Sequence, residues 1–165
     1  QDIRQFNQQA RASPTTLVWL GEWQASERTD LLTALAAPFA ANPANGMARL
    51  VNSQLALATG EAQTQTTFGT LSVLQAAALQ PQVTVGGGVL LERHYPDMDA
   101  WLADGDQVQT CVCIGIAPET VVSHLRQYPG TRIDRLVAPG QALAFDWFWD
   151  GQDLLASMSR QTCFG

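Results

Sequence analysis

Thr16-Leu17-Val18-Trp19-Leu20-Gly21 and Thr110-Cys111-Val112-Cys113-Ile114-Gly115 are one phrase written twice, early and late in the chain. After the first come Leu31, Leu32 and Leu35, then Arg49-Leu50-Val51 and Gln54-Leu55-Ala56-Leu57-Ala58. After the second come Val121, Val122 and Leu125, then Arg135-Leu136-Val137 and Gln141-Ala142-Leu143-Ala144-Phe145. Each copy reads as a strand, an amphipathic helix, and one or two returning strands, so the chain reads as a duplicated βαβ-type unit with helices against a sheet. The fold class expected is α+β: two ferredoxin-like lobes built from βαβ and βαββ units, or one duplicated α/β sandwich, behind a polar N-terminal helix. Residues 1–13 are read as the end of that helix, 14–106 as a first lobe with a long insertion, and 107–165 as a second lobe.

Working outward, Pro14 ends the opening helix and residues 15–23, β-branched and aromatic, read as a strand. Ser26 is placed as the N-cap of a helix that buries Leu31, Leu32 and Leu35 and stops at Pro38. Residues 42–46 are expected as a turn, and Met47 to Ala58 is expected to return as a strand, although Leu50, Val51 and Leu55 also share a helical face. Residues 60–67 read as a polar loop. The spacing of Leu71, Leu74, Ala78 and Leu79 predicts a helix over 68–80. Val83 and Val85, then Val89 to Arg93, are expected as two strands joined by Gly86-Gly87-Gly88. A short helix at Met98, Trp101 and Leu102 precedes the second copy: strand 107–116, a helix opened by Pro118 with Val122 and Leu125 inward, strand 131–137 and strand 141–149.

Composition removes several functions. The chain has 165 residues, 46% of them hydrophobic, enough for a substantial core. Its net charge is −6, and its nine basic residues, all arginines, are scattered. A nucleic-acid partner requires a basic stripe that displaces counterions from phosphates, and an anionic lipid surface requires much the same. Neither is present. No apolar run reaches the ~18 residues of a membrane span. The chain opens at Gln1 rather than at a methionine, which fits a processed protein or the soluble portion of an anchored one.

The stretch from Gln109 through Tyr128-Pro129, followed by Thr131-Arg-Ile-Asp-Arg-Leu-Val137 and Ala142-Leu-Ala-Phe-Asp-Trp-Phe-Trp149, resembles the periplasmic portions of inner-membrane assembly-platform proteins of type II secretion and type IV pilus systems. The resemblance is one of pattern and covers about two thirds of the chain. It implies a non-enzymatic scaffold that dimerises and binds protein partners in the periplasm, with a membrane anchor outside this chain and residues 1–12 closing a coiled coil. The cysteines and residues 61–106 have no counterpart in that pattern.

Three chemistries compete with the scaffold reading. Cys111 and Cys113 alternate along a strand and share a face, so one of them could bond Cys163 in an oxidising compartment; equally, all three could be small buried apolar residues. Zinc held by these cysteines and His94 or His124 matches no familiar spacing. A cysteine- or aspartate-dependent enzyme would use Cys111 or Cys113, His124 and Asp146, yet His124 is placed beside Val121, away from the inward side of its helix. Phe145, Trp147 and Trp149 share one face of the last strand, as a core layer, a protein interface or a sugar platform. Trp147 and Trp149 are the interface candidates. No catalytic, cofactor or metal residue is assigned.

Overall fold

The computed structural model describes residues 2–3, 8, 10, 12–37, 43–76, 85–105, 107–149, 151–160 and 162. Among them the chain is mixed α+β, with five helices and three sheets. Its elements run β1 (Thr16–Leu20), α1 (Ala25–Ala36), α2 (Pro43–Ala58), β2 (Ala62–Phe68), β3 (Leu71–Ala76), β4 (Val89–Tyr95), α3 (Met98–Ala103), β5 (Gln107–Val112), α4 (Pro118–Leu125), β6 (Arg132–Val137), β7 (Phe148–Trp149), β8 (Gln152–Asp153) and α5 (Leu154–Met158).

The large sheet has the order β1-β4-β3-β2, parallel across its first three strands and closed by the antiparallel β2–β3 hairpin. Side-chain alternation sends Leu71, Val73 and Leu90 to one face, where Leu32 and Ala36 of α1 cover them. Leu74, Ala76, Val89 and Leu91 go to the other face, where Ala56 of α2 meets them. Burial on both faces removes the strand signal from β3. Its run Leu71-Ser72-Val73-Leu74 carries no period-two signal, so Leu71 and Leu74 mimic helical spacing, and the helix expected over 68–80 is a strand at 71–76.

Two further corrections belong to this sheet. Met47 to Ala58, expected as a strand, lies in helix α2, which begins at Pro43 and so also replaces the turn expected at 42–46. Residues 60–67, expected as a loop, carry β2, whose polar Gln63-Thr64-Gln65-Thr66-Thr67 stretch is exposed throughout at the sheet edge and so shows no hydropathy pattern. Val85 precedes a glycine turn as expected but lies outside any strand, and β4 pairs with β3 in parallel, not as a hairpin. Residues 77–84 lie outside the described residues.

The late part of the chain holds a parallel β5-α4-β6 unit. Its core is shared: Cys113 and Val121 pack with Tyr95, Met98, Trp101 and Leu102, and with Val18 and Leu20 from the face of β1 opposite Leu17. Pro118 opens α4 as predicted, but Val121 is the buried residue and Val122 is exposed. The i, i+4 pair Val121 and Leu125 forms the inward stripe. The strand expected over 141–149 is reduced to Phe148–Trp149, because Gln141 to Ala144 turns back on itself under Arg135, which donates to the carbonyls of Gln141, Ala142 and Ala144. The two copies therefore share their strand–helix openings and then part: Arg49-Leu50-Val51 is helical, whereas Arg135-Leu136-Val137 is a strand.

Most of the helix expected at 1–13 lies outside the described residues. Asp2 and Gln8, which are described, are buried and tie the segment down. Asp2 accepts from the backbone N–H groups of Gly140 and Ala142 at 2.7 and 3.2 Å. Gln8 donates to the Val89 carbonyl at 2.8 Å and accepts from Gly88 N–H at 3.2 Å.

Candidate functional site

The densest polar cluster lies at the carboxyl ends of the parallel strands β1 and β4. Glu92 follows the apolar run Val89-Leu90-Leu91 in β4 and is 2% exposed. A buried carboxylate is tolerated only when its oxygens are fully met. Here the Trp19 indole N–H donates to Oε1 at 2.6 Å, and the Arg28 guanidinium donates from Nε and Nη2 at 2.8 and 2.6 Å. The Arg28 hydrogen bond to Glu92 raises the guanidinium pKa further. Three donors commit Glu92 to fastening α1 and β1 onto β4.

Around this pin the rings of Trp19, Trp23 and His94 gather, with centroids 5.5, 4.7 and 6.3 Å apart in the pairs Trp19–Trp23, Trp23–His94 and Trp19–His94. His94 Nε2 is 3.8 Å from Glu92 Oε1. Its pKa is nonetheless lowered, because desolvation outweighs the attraction of Glu92 while Arg28 opposes the charge. Sequence reasoning missed this cluster, although Glu92 after Val89-Leu90-Leu91 is a charge in an apolar run and was the available signal.

The predicted site residues are distributed elsewhere. Cys111 and Cys113 border the core shared with Val121, Trp101 and Leu102 on one face, as the alternation implied, and both thiols are free. Burial, with Cys113 adjacent, pushes the Cys111 thiol up to about 12, and burial also raises Cys113. Neither is an activated nucleophile. Cys163 lies outside the described residues, so the pairing considered for it does too. His124, on α4, faces Asp99 of α3 at 2.8 Å, and this contact lowers the Asp99 carboxyl. The imidazole is thus partnered by an acid, and the thiols by each other. Among the described residues no group of three His, Cys, Asp or Glu side chains could hold a metal.

Phe145, Trp147 and Trp149 do come together, with Phe145 and Trp147 on an irregular loop that leads into the two-residue strand β7. Phe145 meets Trp147 edge-on at 5.8 Å and stacks on Trp149 at 6.1 Å, while the Arg135 guanidinium lies 5.1 Å from the Trp149 ring centre. The core layer considered for them is not what forms: Phe145, Trp147 and Phe148 are 69%, 55% and 64% exposed. Arg135 holds the loop by its carbonyl contacts, so the rings are presented on a fixed support. Asp146 is exposed beside them.

No protein-family model matches this sequence, and no curated protein matches it. No helix among the described residues is long and apolar enough to cross a membrane.

Proposed function

We propose that this chain is a non-enzymatic interaction domain of the kind that builds bacterial secretion or type IV pilus assembly platforms, facing the periplasm and working by self-association and partner binding. The two strand–helix openings, β1–α1 and β5–α4, support a chain built from repeated units, as in such platforms. The observation that carries the reading is the aromatic group Phe145, Trp147 and Phe148, left in solvent beside the half-buried Trp149 over which Arg135 lies. Exposed apolar groups of this size on a folded chain mark contact sites, and tryptophan is a favoured anchor at protein interfaces.

The test is a Trp147→Ala/Phe148→Ala variant introduced into the full-length gene in its host. Both side chains are exposed, so thermal stability should stay close to wild type while secretion or piliation is lost. Unaltered secretion and piliation would contradict the platform reading. Saturable binding of an oligosaccharide with a shift in tryptophan fluorescence would replace it with the carbohydrate-binding alternative.

A further inference from the structure

The exposed rings of the late loop have apolar company and a firm base. Helix α5 is joined to them where the Leu154 N–H donates to the Trp147 carbonyl at 2.9 Å. It adds Leu155 and Met158, 54% and 82% exposed, to the apolar side chains that Phe145, Trp147 and Phe148 already leave in water. Below them, Arg135 bonds the carbonyls of Gln141, Ala142 and Ala144. Gly151, at φ +71°, seats the β7–β8 turn on β6, so closely that a Cβ there would come within 2.9 Å of Asp134 Oδ1. An apolar surface held at both ends meets a partner with little left to order.

The charge around this surface has one sign. Residues 141–159 include Asp146, Asp150 and Asp153 and neither arginine nor histidine. Asp146 is exposed, between Phe145 and Trp147 in the chain. The cations of β6 do not cancel these acids. Arg132 is paired with Asp134, and Arg135 offsets at most one of the three.

From this combination we infer that the aromatic loop docks a basic segment of a partner protein, an arginine or lysine side chain lying against Phe145 and Trp147 with its charge met by Asp146. This names the partner's chemistry at the surface that carries the proposed function, and it rests on that reading. Aromatic faces attract cations, and the chain makes the contact within its own fold, where the Arg135 guanidinium lies 5.1 Å from the centre of Trp149. A guanidinium is weakly hydrated, so stacking it on a ring sacrifices little. Apolar residues beside the cation would cover Phe148, Leu155 and Met158.

Charge complementarity selects this occupant. A second copy in an isologous contact would set the aspartates against their own images. An anionic lipid surface would be repelled by the same groups. A sugar chain needs several ring faces side by side, whereas Phe145 stacks on Trp149 at 23° and meets Trp147 at 74°, so the rings turn toward one another. A single guanidinium needs one open face.

Fluorescence anisotropy of a labelled synthetic peptide repeating arginine, leucine and serine, titrated with the full chain, tests the inference beside the same peptide carrying glutamate for arginine. The arginine peptide should bind saturably and weaken severalfold as salt rises from about 0.05 to 0.5 M, and the glutamate peptide should not bind. Trp147→Ala should weaken binding about tenfold or more and Asp146→Asn about threefold or more, with circular dichroism unchanged. Asp30→Asn, which removes the same charge from an exposed position on α1, should leave affinity within about twofold. Equal weakening by Asp30→Asn and Asp146→Asn, equal binding of the two peptides, or binding of neither would overturn the basic partner. If secretion or piliation is still lost in Trp147→Ala/Phe148→Ala, such a result spares the interaction-domain reading. Peptide binding as predicted, with secretion and piliation unaltered in that double variant, would uphold this site and contradict the platform.

Discussion

Helix α1 turns Leu32 and Ala36 onto the sheet, leaves Glu27, Thr29 and Asp30 in solvent, and is fastened by Arg28 to Glu92. Helix α2, on the opposite face of the same sheet, lays Ser53 and Ala56 inward and leaves Met47, Leu50, Val51 and Leu55 in solvent. The first helix is energetically complete within one copy of the chain, since its apolar face is covered and its inward-reaching charge is paired. The second keeps in water the side chains whose burial would stabilise it most, each worth up to about 1.5–3 kcal/mol when fully covered. One face of the sheet thus serves folding, and the other leaves favourable contacts unused until something docks.

The sharpest way to break this contrast is substitution in matched pairs. Leu32→Ala, at a fully buried position under α1, should lower unfolding free energy by about 2–5 kcal/mol in urea titrations. Leu50→Ala on α2 should change the stability of the monomer by no more than about 0.5 kcal/mol. Equal costs at the two positions would mean that α2 buries its outer face in the single chain. Arg28→Ala, which strands the Glu92 carboxylate without its cation, should cost roughly 3 kcal/mol. Little loss would show that the pair does not fasten α1.

A gain is expected on the α2 side. The Ser53 hydroxyl is buried without a hydrogen-bond partner. Ser53→Ala should therefore raise stability by about 1 kcal/mol. An unchanged or lower urea midpoint would contradict that account of the inner face.

The smallest effect is electrostatic. His94 has a folded pKa below its ordinary 6.5, so between the two values the unfolded chain binds more protons. Stability should then rise with pH through that window and fall as pH drops below about 6.5. His94→Gln should flatten this part of the thermal-midpoint profile, and an unaltered profile would remove His94 as its source. Beside α3 and α4, site-resolved alkylation at pH 8 should leave the buried Cys113 unmodified until the chain unfolds and label the half-buried Cys111 only slowly. Rapid labelling of Cys113 in the native state would contradict its burial.

Where sequence and structure agree, the reason is local and strong. The β1–α1 and β5–α4 openings, the Pro118 start of α4, the short α3 and the shared face of Cys111 and Cys113 each follow from periodicity or turn chemistry within a few residues. Where they part, the deciding term is tertiary. β3 is buried on both faces, which erases alternation, and β2 is exposed on both, which erases it the other way. Met47 to Ala58 reads ambiguously because its apolar residues do not face the sheet, so the pattern taken for a core-facing strand is an outward helical stripe. Glu92 with Trp19 and Arg28 could not be assembled from spacing, since the three come from a strand, a second strand and a helix joined only by the fold.

Hydrogen–deuterium exchange of the wild-type chain reads the two helices side by side. The account predicts that amides of α1, whose apolar face is covered and whose Arg28 is paired, exchange more slowly than those of α2, whose apolar side chains stand in solvent. Exchange in α2 as slow as in α1 would contradict it.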